Sequence, residues 1–395
     1  MKWRTRMTFL ISILLTFLLF LHLPIPYLHY NSTTILPRIN YFKGRSNITF
    51  IHLHSSLLLQ FSFDDHRRGN MGPRSLRILF TTKMKRPQLN CIFDDKKEIE
   101  GEWYEMSENH KKEYGIFILS CIVPLNTQYL ETFRITVPNR EWMSRQLSVD
   151  YVIPEKEPKE FRMEYAICSP LVFGMKYTKE KLIEFVEMNK LLGVQKISLY
   201  IDYPSVRKEL IDTIQFYERQ GIVDAVGYHE PMKSIWYHGQ LGLIMDCLVR
   251  HSTSTRYVSF QDLDEFIVSP NGKKTVNLLP QLLNQSVISL RVSTQLMSIS
   301  NTTYPQILTN IGADETTDDT YSKCIIRPFH VFEQGIHHTS RTIFDSNKLE
   351  RAEFSELKVF HFKEEYVLES EDSSIRDHYG RELRDKYFMA QKEMT

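Results

Sequence analysis

The stretch from Arg256 to Pro270 reads RYVSFQDLDEFIVSP. Strand formers from Tyr257 to Phe260 lead into three acids in four positions, Asp262, Asp264 and Glu265, before Phe266-Ile267-Val268 resume the apolar pattern. Carboxylates beside a buried strand need a partner or a metal. Strand alternation puts Asp262 and Asp264 on one face, where they repel each other unless a cation lies between them. Hard oxygen ligands favour magnesium or manganese. An EF-hand calcium loop does not fit, because Phe266 and Ile267 stand where an oxygen ligand and a glycine belong. The plainer reading of the same acids is a helix cap or an exposed acidic turn. A lone D-x-D is a weak motif, so its weight depends on the elements around it.

Those elements alternate. EYAICSPLVF reads as a strand, and TKEKLIEFVEMNKLLG as an amphipathic helix with Thr178 as cap and Gly193 as stop. VQKISLYID is the next strand. SVRKELIDTIQFYERQG is a helix capped at Ser205 and ended at Gly221. IVDAVGYHEP and GQLGLIMDCLVRHS add a third strand and a third helix before the acidic strand. This β-α-β-α-β-α-β order predicts an α/β fold with a mostly parallel sheet and helices on both faces. In such sheets ligands bind beyond the carboxyl ends of the strands, where the acids fall.

Ahead of this part, LRILFTT, GIFILSCIVPL and ETFRITVP read as short strands, so residues 76–153 are expected to form a smaller β-rich region. PEKEPKEFR is a charged linker opening the larger domain, 154–395. Lys2, Arg4 and Arg6 precede the uncharged run from Met7 to Leu23. The expected layout is a cytoplasmic tail (1–6), a transmembrane signal anchor (7–28) and a lumenal stem (29–75), a single-pass type II arrangement. A cleaved signal peptide is the alternative, although HLPIPYLHY offers no small-x-small site.

N-glycosylation sequons at Asn31, Asn47, Asn284 and Asn301 suit a lumenal chain. Of the five cysteines, Cys91 with Cys121 and Cys168 with Cys247 are plausible pairs, leaving Cys324; other pairings stay open. With 49 basic and 48 acidic residues the net charge is +1, so nucleic acid is not expected as a partner.

At a larger scale the sequence resembles glycosyltransferase family 92. The residues that carry the resemblance are CSPL (168–171), EFVEMNKLLGVQKISLY (184–200), YERQGIV (217–223) and YHGQLGLIMDCLVR (237–250). FQDLDEFIV (260–268), SKCIIRP (322–328) and the His361-Phe362 pair continue it. The resemblance implies a GT-A-like, Rossmann-type fold and a metal-dependent, inverting transfer from a UDP-sugar to a glycan acceptor, with manganese as the expected ion. Characterised relatives add galactose, making UDP-galactose the leading donor, with UDP-glucose or a UDP-N-acetylhexosamine next. It also implies a Golgi enzyme with its catalytic domain in the lumen.

Residue by residue, it implies that Asp262 contacts metal or donor ribose, that Asp264 ligates the metal bridging the diphosphate, and that Glu265 orients both. GT-A enzymes commonly recruit a late histidine as a further ligand, for which His337, His338 and His361 are candidates. The family's aromatic-then-basic pattern after that histidine is kept in His361-Phe362-Lys363, with Phe for the commoner Tyr. Lys323 and Arg327 flank an apolar strand and could clamp phosphate oxygens, or be ordinary strand-end charges. Gln240 and Asp246, on the helix before the acidic strand, could reach the donor; Asp246 could equally be a solvated helix acid. Asp202, after ISLYI, is placed for ribose or uridine, or for a turn. The general base stays unassigned among Asp314, Glu315, Asp318 and Asp319. A different class of reading, a catalytically inactive lumenal or cell-surface glycan-binding protein, is opposed by the intact acids and late histidines.

Overall fold

The computed structural model describes residues 46–93, 98–139, 142–314, 318–364 and 370–394. The expected tail and anchor, the first part of the stem (29–45) and Asn31 lie outside the described residues. Among the described residues no helix is long and apolar enough to cross a membrane.

The N-terminal part is all β. One sheet carries, in spatial order, Ile51–His54, Leu57–Asp65, Ser75–Lys83, Tyr114–Ile122 and Glu102–Glu105, with Tyr151–Ile153 added alongside Leu57–Asp65. A second sheet holds Glu98–Glu100, Asn90–Ile92, Thr132–Thr136 and Leu147–Ser148. Leu59, Leu76, Ile78, Phe80, Phe93 and Phe133 are among the side chains of their shared core. A Cys91–Cys121 disulfide joins the two sheets. The region begins earlier than expected. Leu57–Asp65 is buried along its whole length and pairs with neighbours on both sides, so the segment from Ile51 is not part of a stem. Its run LLLQFSFDD lacks the strict alternation of a half-exposed strand because both of its faces are covered.

The larger sheet starts at β1 (Met163–Val172). It continues through β2 (Lys196–Ile201), β3 (Val223–Gly227), β4 (Thr255–Phe260), β5 (Glu265–Val268), β6 (Val287–Ile299), β7 (Asp318–Ile326) and β8 (Lys358–Glu364). The order β3-β2-β1-β4 is parallel throughout, as the alternating pattern predicts. Beyond β4 the expectation of a mostly parallel sheet gives way to a mixed one. β7 runs antiparallel to β4, β6 antiparallel to β7, β8 parallel to β6, and β5 antiparallel to β8. The only helix described between β6 and β7 is the four-residue Gln306–Thr309, far shorter than the usual crossover between parallel strands.

Helices cover both faces. On one, α1 (Lys179–Leu191), α2 (Lys208–Arg219) and α4 (Thr275–Leu282) pack with the C-terminal α5 (Ser374–Met394) around Phe185, Ile214, Leu279 and Tyr387. Thr178 caps α1, accepting the Lys181 N–H at 3.3 Å. Ser205 does not cap α2. It lies in a 3-10 turn behind Pro204, its hydroxyl donates to the Asp202 carbonyl, and the helix starts at Lys208 after an extended Arg207.

On the other face lies α3 (Gln240–His251), all twelve residues of which are buried. It is sandwiched between the larger sheet and the N-terminal sheet, in one core that includes Phe61, Leu79, Ile118, Leu243, Leu248 and Phe260. A Cys168–Cys247 disulfide staples α3 to β1, and Cys324 is a buried free thiol.

Candidate functional site

Four parallel strands end along one edge of the sheet, at Val172, Ile201, Gly227 and Phe260. Asp262 follows β4 directly. A tight turn closes over residues 262–265, with the Glu265 N–H bonded to the Asp262 carbonyl at 3.1 Å. The Asp262 N–H returns a bond to Glu265 Oε2 at 3.0 Å. This reciprocal pair turns the backbone so that all three acids converge.

Lys323 of β7 completes the cluster. Antiparallel pairing of Ser259 with Ile325 carries Lys323 to the level of Gln261, next to the acids. Its ammonium, 3% exposed, lies 2.9 Å from Glu265 Oε2 and 3.2 Å from Asp262 Oδ2. His361 enters from β8, paired directly across from Glu265, with the Phe362 N–H bonded to the Asp264 carbonyl at 2.9 Å. Its Nε2 is 4.0 Å from Asp264 Oδ1 and its Nδ1 3.5 Å from Glu265 Oε1. The side chain is buried, yet Nδ1 has no hydrogen-bond partner.

The electrostatics are unbalanced. Burial would raise the Asp262 carboxyl, but the Lys323 charge and hydrogen bond outweigh it and hold it below the ordinary range. Asp264 is raised by burial and by Asp262, despite Lys181 at 3.9 Å. Burial, together with Asp262 and Asp264, pushes Glu265 up to about 8 against the pull of Lys323. Burial, then Lys363 and Lys323, push His361 down to about 3, so it is a neutral imidazole with a free lone pair at physiological pH. Asp262, Asp264 and His361 are of the oxygen and imidazole types that a divalent cation takes as ligands, and Asp264 and His361 are the close pair among them. The 4.0 Å between His361 Nε2 and Asp264 Oδ1 leaves room for one ion with ligand bonds of about 2.1 Å. Glu265 would hold the outer nitrogen of that histidine, the usual carboxylate–histidine support of a metal ligand.

Other candidates distribute unevenly. Asp202 ends β2 on the same edge and takes a bond with His229 Nδ1 at 3.0 Å. Gln240 is buried at the start of α3, behind three consecutive left-handed residues: Tyr237 (φ 38°), His238 (φ 54°) and Gly239 (φ 72°). His337 is half-buried, with Nδ1 3.0 Å from the Ser322 carbonyl; burial and Lys323 lower its pKa.

Asp246 and Arg327 are not brought to the cluster. Both Asp246 oxygens are engaged, by Tyr151 at 2.9 Å, by Tyr200 at 2.6 Å and by Arg250 at 2.7 Å, in a fully buried ion pair inside α3. Arg327 lies past the other end of the β4–β7 pairing, doubly bonded to Glu157 of the linker, with the shorter contact 2.7 Å. Of the candidate bases, Asp314 is half-buried beside β6; Glu315 and the side chains of Asp318 and Asp319 lie outside the described residues. Asn47, Asn284 and Asn301 are all exposed, as glycosylation requires.

Two contributors went unnoticed in the sequence. Tyr177, 3% exposed, is held protonated by burial and by Asp262 and Asp264 around it. Lys181, in the first turn of α1, faces Asp264. The signal was available in MKYTKEK, where Lys176 and Lys181 bracket the α1 cap just after a strand end.

The class follows from sheet and site together: an α/β enzyme with an acid–lysine–histidine cluster at the carboxyl edge of its parallel strands. A model of glycosyltransferase family 92 matches residues 164–388, from the start of β1 into α5. A β-1,4-galactosyltransferase of Caenorhabditis elegans is 30% identical over 355 residues, covering 87% of this chain and 83% of that protein. The chain belongs to glycosyltransferase family 92, and it is a glycosyltransferase.

Proposed function

We propose that the protein is a GT-A-like, metal-dependent, inverting galactosyltransferase that uses UDP-galactose to extend a glycan in the lumen of the Golgi. The observation that carries the reading is the convergence of Asp262, Asp264 and His361 at the carboxyl edge of the β3-β2-β1-β4 sheet. Galactose as the transferred sugar rests on the similarity to the nematode enzyme. The type II lumenal placement rests on the N-terminal sequence, and two disulfides suit an oxidising compartment.

In this reading a divalent cation, manganese by ligand type, would be held by Asp262, Asp264 and His361; it would stabilise negative charge on the departing UDP. Glu265 fixes the turn through the Asp262 N–H and lies 3.5 Å from His361 Nδ1. Lys181 adds positive charge on the Asp264 side. Asp202, at the neighbouring strand end, is positioned for ribose or uracil, and Gln240 for the donor sugar or phosphates. The acceptor hydroxyl attacks the anomeric carbon as the bond to phosphate breaks from the opposite face, which inverts the centre. The hydroxyl proton passes to a general base as the new bond forms.

The test is UDP release by the purified chain from a panel of UDP-sugars, with manganese or with chelator. Manganese-dependent turnover selective for UDP-galactose and abolished in Asp264→Asn is the expected result. Absence of manganese-dependent UDP binding in calorimetry would refute the proposal and favour a glycan-binding protein without catalysis.

A further inference from the structure

At the rim of the acid cluster, two separate parts of the chain meet on exposed aromatic rings. Trp236 and Tyr237 are 37% and 44% exposed, unusual for large rings in a segment this well anchored. The anchoring is specific. Gly239 presses against the Tyr228–Glu230 pair, where an added Cβ would lie 2.5 Å from the tyrosine oxygen. On the other side, the Tyr114 N–H bonds to the Ser234 carbonyl at 3.1 Å, tying the segment to the N-terminal sheet.

From that sheet a loop delivers His110, whose ring centroid lies 4.1 Å from that of Trp236, and Lys112, whose ammonium is 5.5 Å from the same ring. Backbone strain gathers on both sides of the contact. His110 (φ 50°) and Lys111 (φ 54°) are left-handed on one side, Tyr237 and His238 on the other. Non-glycine residues hold such conformations only where the surrounding structure over-determines them, and they cluster at functional sites. Tyr237 links the patch to the carboxyl edge of the sheet, where β1 ends at Val172. Phe173, at the end of β1, continues the row, 5.8 Å from Tyr237 and 4.4 Å from His238.

We propose that Trp236 and Tyr237 form the platform on which a pyranose ring of the acceptor glycan stacks, with His110 of the N-terminal β region backing Trp236. This rests on the glycosyl-transfer reading above. Rings of rigid aromatics present an apolar face suited to the C–H face of a sugar, and a built, strained surface needs no induced ordering to bind it. The acceptor fits better than the donor sugar. The diphosphate end of the donor belongs beside Asp262 and Asp264, whereas Trp236 is exposed and packs against the His110 loop of the N-terminal region. The N-terminal β region is then part of the substrate site.

The experiment is saturation-transfer NMR on the full chain with methyl glycosides of the hexoses, N-acetylhexosamines and deoxyhexoses of secretory glycans. Each is titrated with and without UDP and manganese. At least one glycoside is expected to bind the wild type, to bind Trp236→Ala about tenfold more weakly, and to recover in Trp236→Phe. His110→Ala is expected to weaken binding less. In parallel calorimetry, UDP binding with manganese stays within about twofold in Trp236→Ala if the platform serves the acceptor. No glycoside binding to the wild type, equal binding to Trp236→Ala, or a matching loss of UDP affinity would each overturn the proposal. Loss of UDP binding in the wild type itself would instead refute the donor-site reading. The nucleotide-free titration decides the platform on its own.

Discussion

Replacing Lys323 by methionine tests whether the cluster is held by charge compensation. The ammonium lies 2.9 Å from Glu265 and 3.2 Å from Asp262 and is itself 3% exposed. Removing one partner of a buried ion pair costs about 3–5 kcal/mol when the remaining charge cannot escape. Here it can escape by taking a proton. Glu265 is already raised to about 8, so the group left needing a counter-charge is Asp262, which Lys323 now holds low. Protonating a carboxyl with an unfolded pKa of about 3.9 costs about 1.4 kcal/mol per pH unit, a ceiling of about 4 kcal/mol at pH 7 and about 1.5 kcal/mol at pH 5. Asp262 is 30% exposed, and water screening brings the expected cost at pH 7 down to about 2–3 kcal/mol. The assay is urea unfolding of wild type and Lys323→Met with disulfides intact, in chelator, at both pH values. The variant should be markedly weaker at pH 7 and close to wild type at pH 5. Equal costs at the two pH values, or a cost below about 0.5 kcal/mol at pH 7, would refute charge compensation as the role of this lysine.

Other consequences are separable. Glu265→Gln keeps an acceptor for the Asp262 N–H but weakens support of His361, so manganese affinity measured with UDP should fall about 10- to 100-fold while the fold survives. Asp246→Asn leaves Arg250 buried without its counter-charge and should cost about 3–5 kcal/mol in urea unfolding. The donor KM of the folded fraction should stay unchanged, whereas a large KM rise would return Asp246 to the donor site. Glu184, buried on α1 and accepting the Ile307 N–H at 3.0 Å, is pushed up to about 8 by burial. Its folded pKa is above the unfolded one, so its contribution is fully present below about pH 4.5 and is lost as pH rises to about 8, at about 1.4 kcal/mol per unit. Stability curves of wild type and Glu184→Gln should therefore diverge between those pH values; parallel curves would refute the assignment.

The parts of the structure legible in the sequence are those set by local period. Alternating strands and helices from β1 to β4 follow from hydrophobic spacing, and the position of the acids follows from where β4 must stop. The pairings Cys91–Cys121 and Cys168–Cys247 are both present. What sequence could not show is direction in space. Lys323 and Arg327 look equivalent on either side of Cys324-Ile325-Ile326; only the antiparallel pairing of β7 with β4 sends one to the acids and the other to Glu157 at the far end. Asp246 reads as a donor contact or a solvated acid because an amphipathic helix is expected to have a wet face, and α3 has none. The mixed character of the sheet beyond β4 depends on connections too irregular to carry a periodic signal.

That lack of a wet face bears on where the working protein begins. The family match starts at residue 164, as though the N-terminal β region were an addition. Yet Leu241, Leu243, Ile244 and Leu248 of α3 share a core with Phe61, Phe63, Leu79 and Ile118 of the N-terminal sheet. A helix with apolar residues all round is stable only when covered on every side. Without that sheet, α3 would expose one flank, and the Asp246 network would lose Tyr151. The same helix begins at Gln240, immediately after the left-handed turn that carries Tyr237 to the rim of the acid cluster. The N-terminal region therefore acts on the site twice, through the core that fixes α3 and through the His110 loop that meets Trp236.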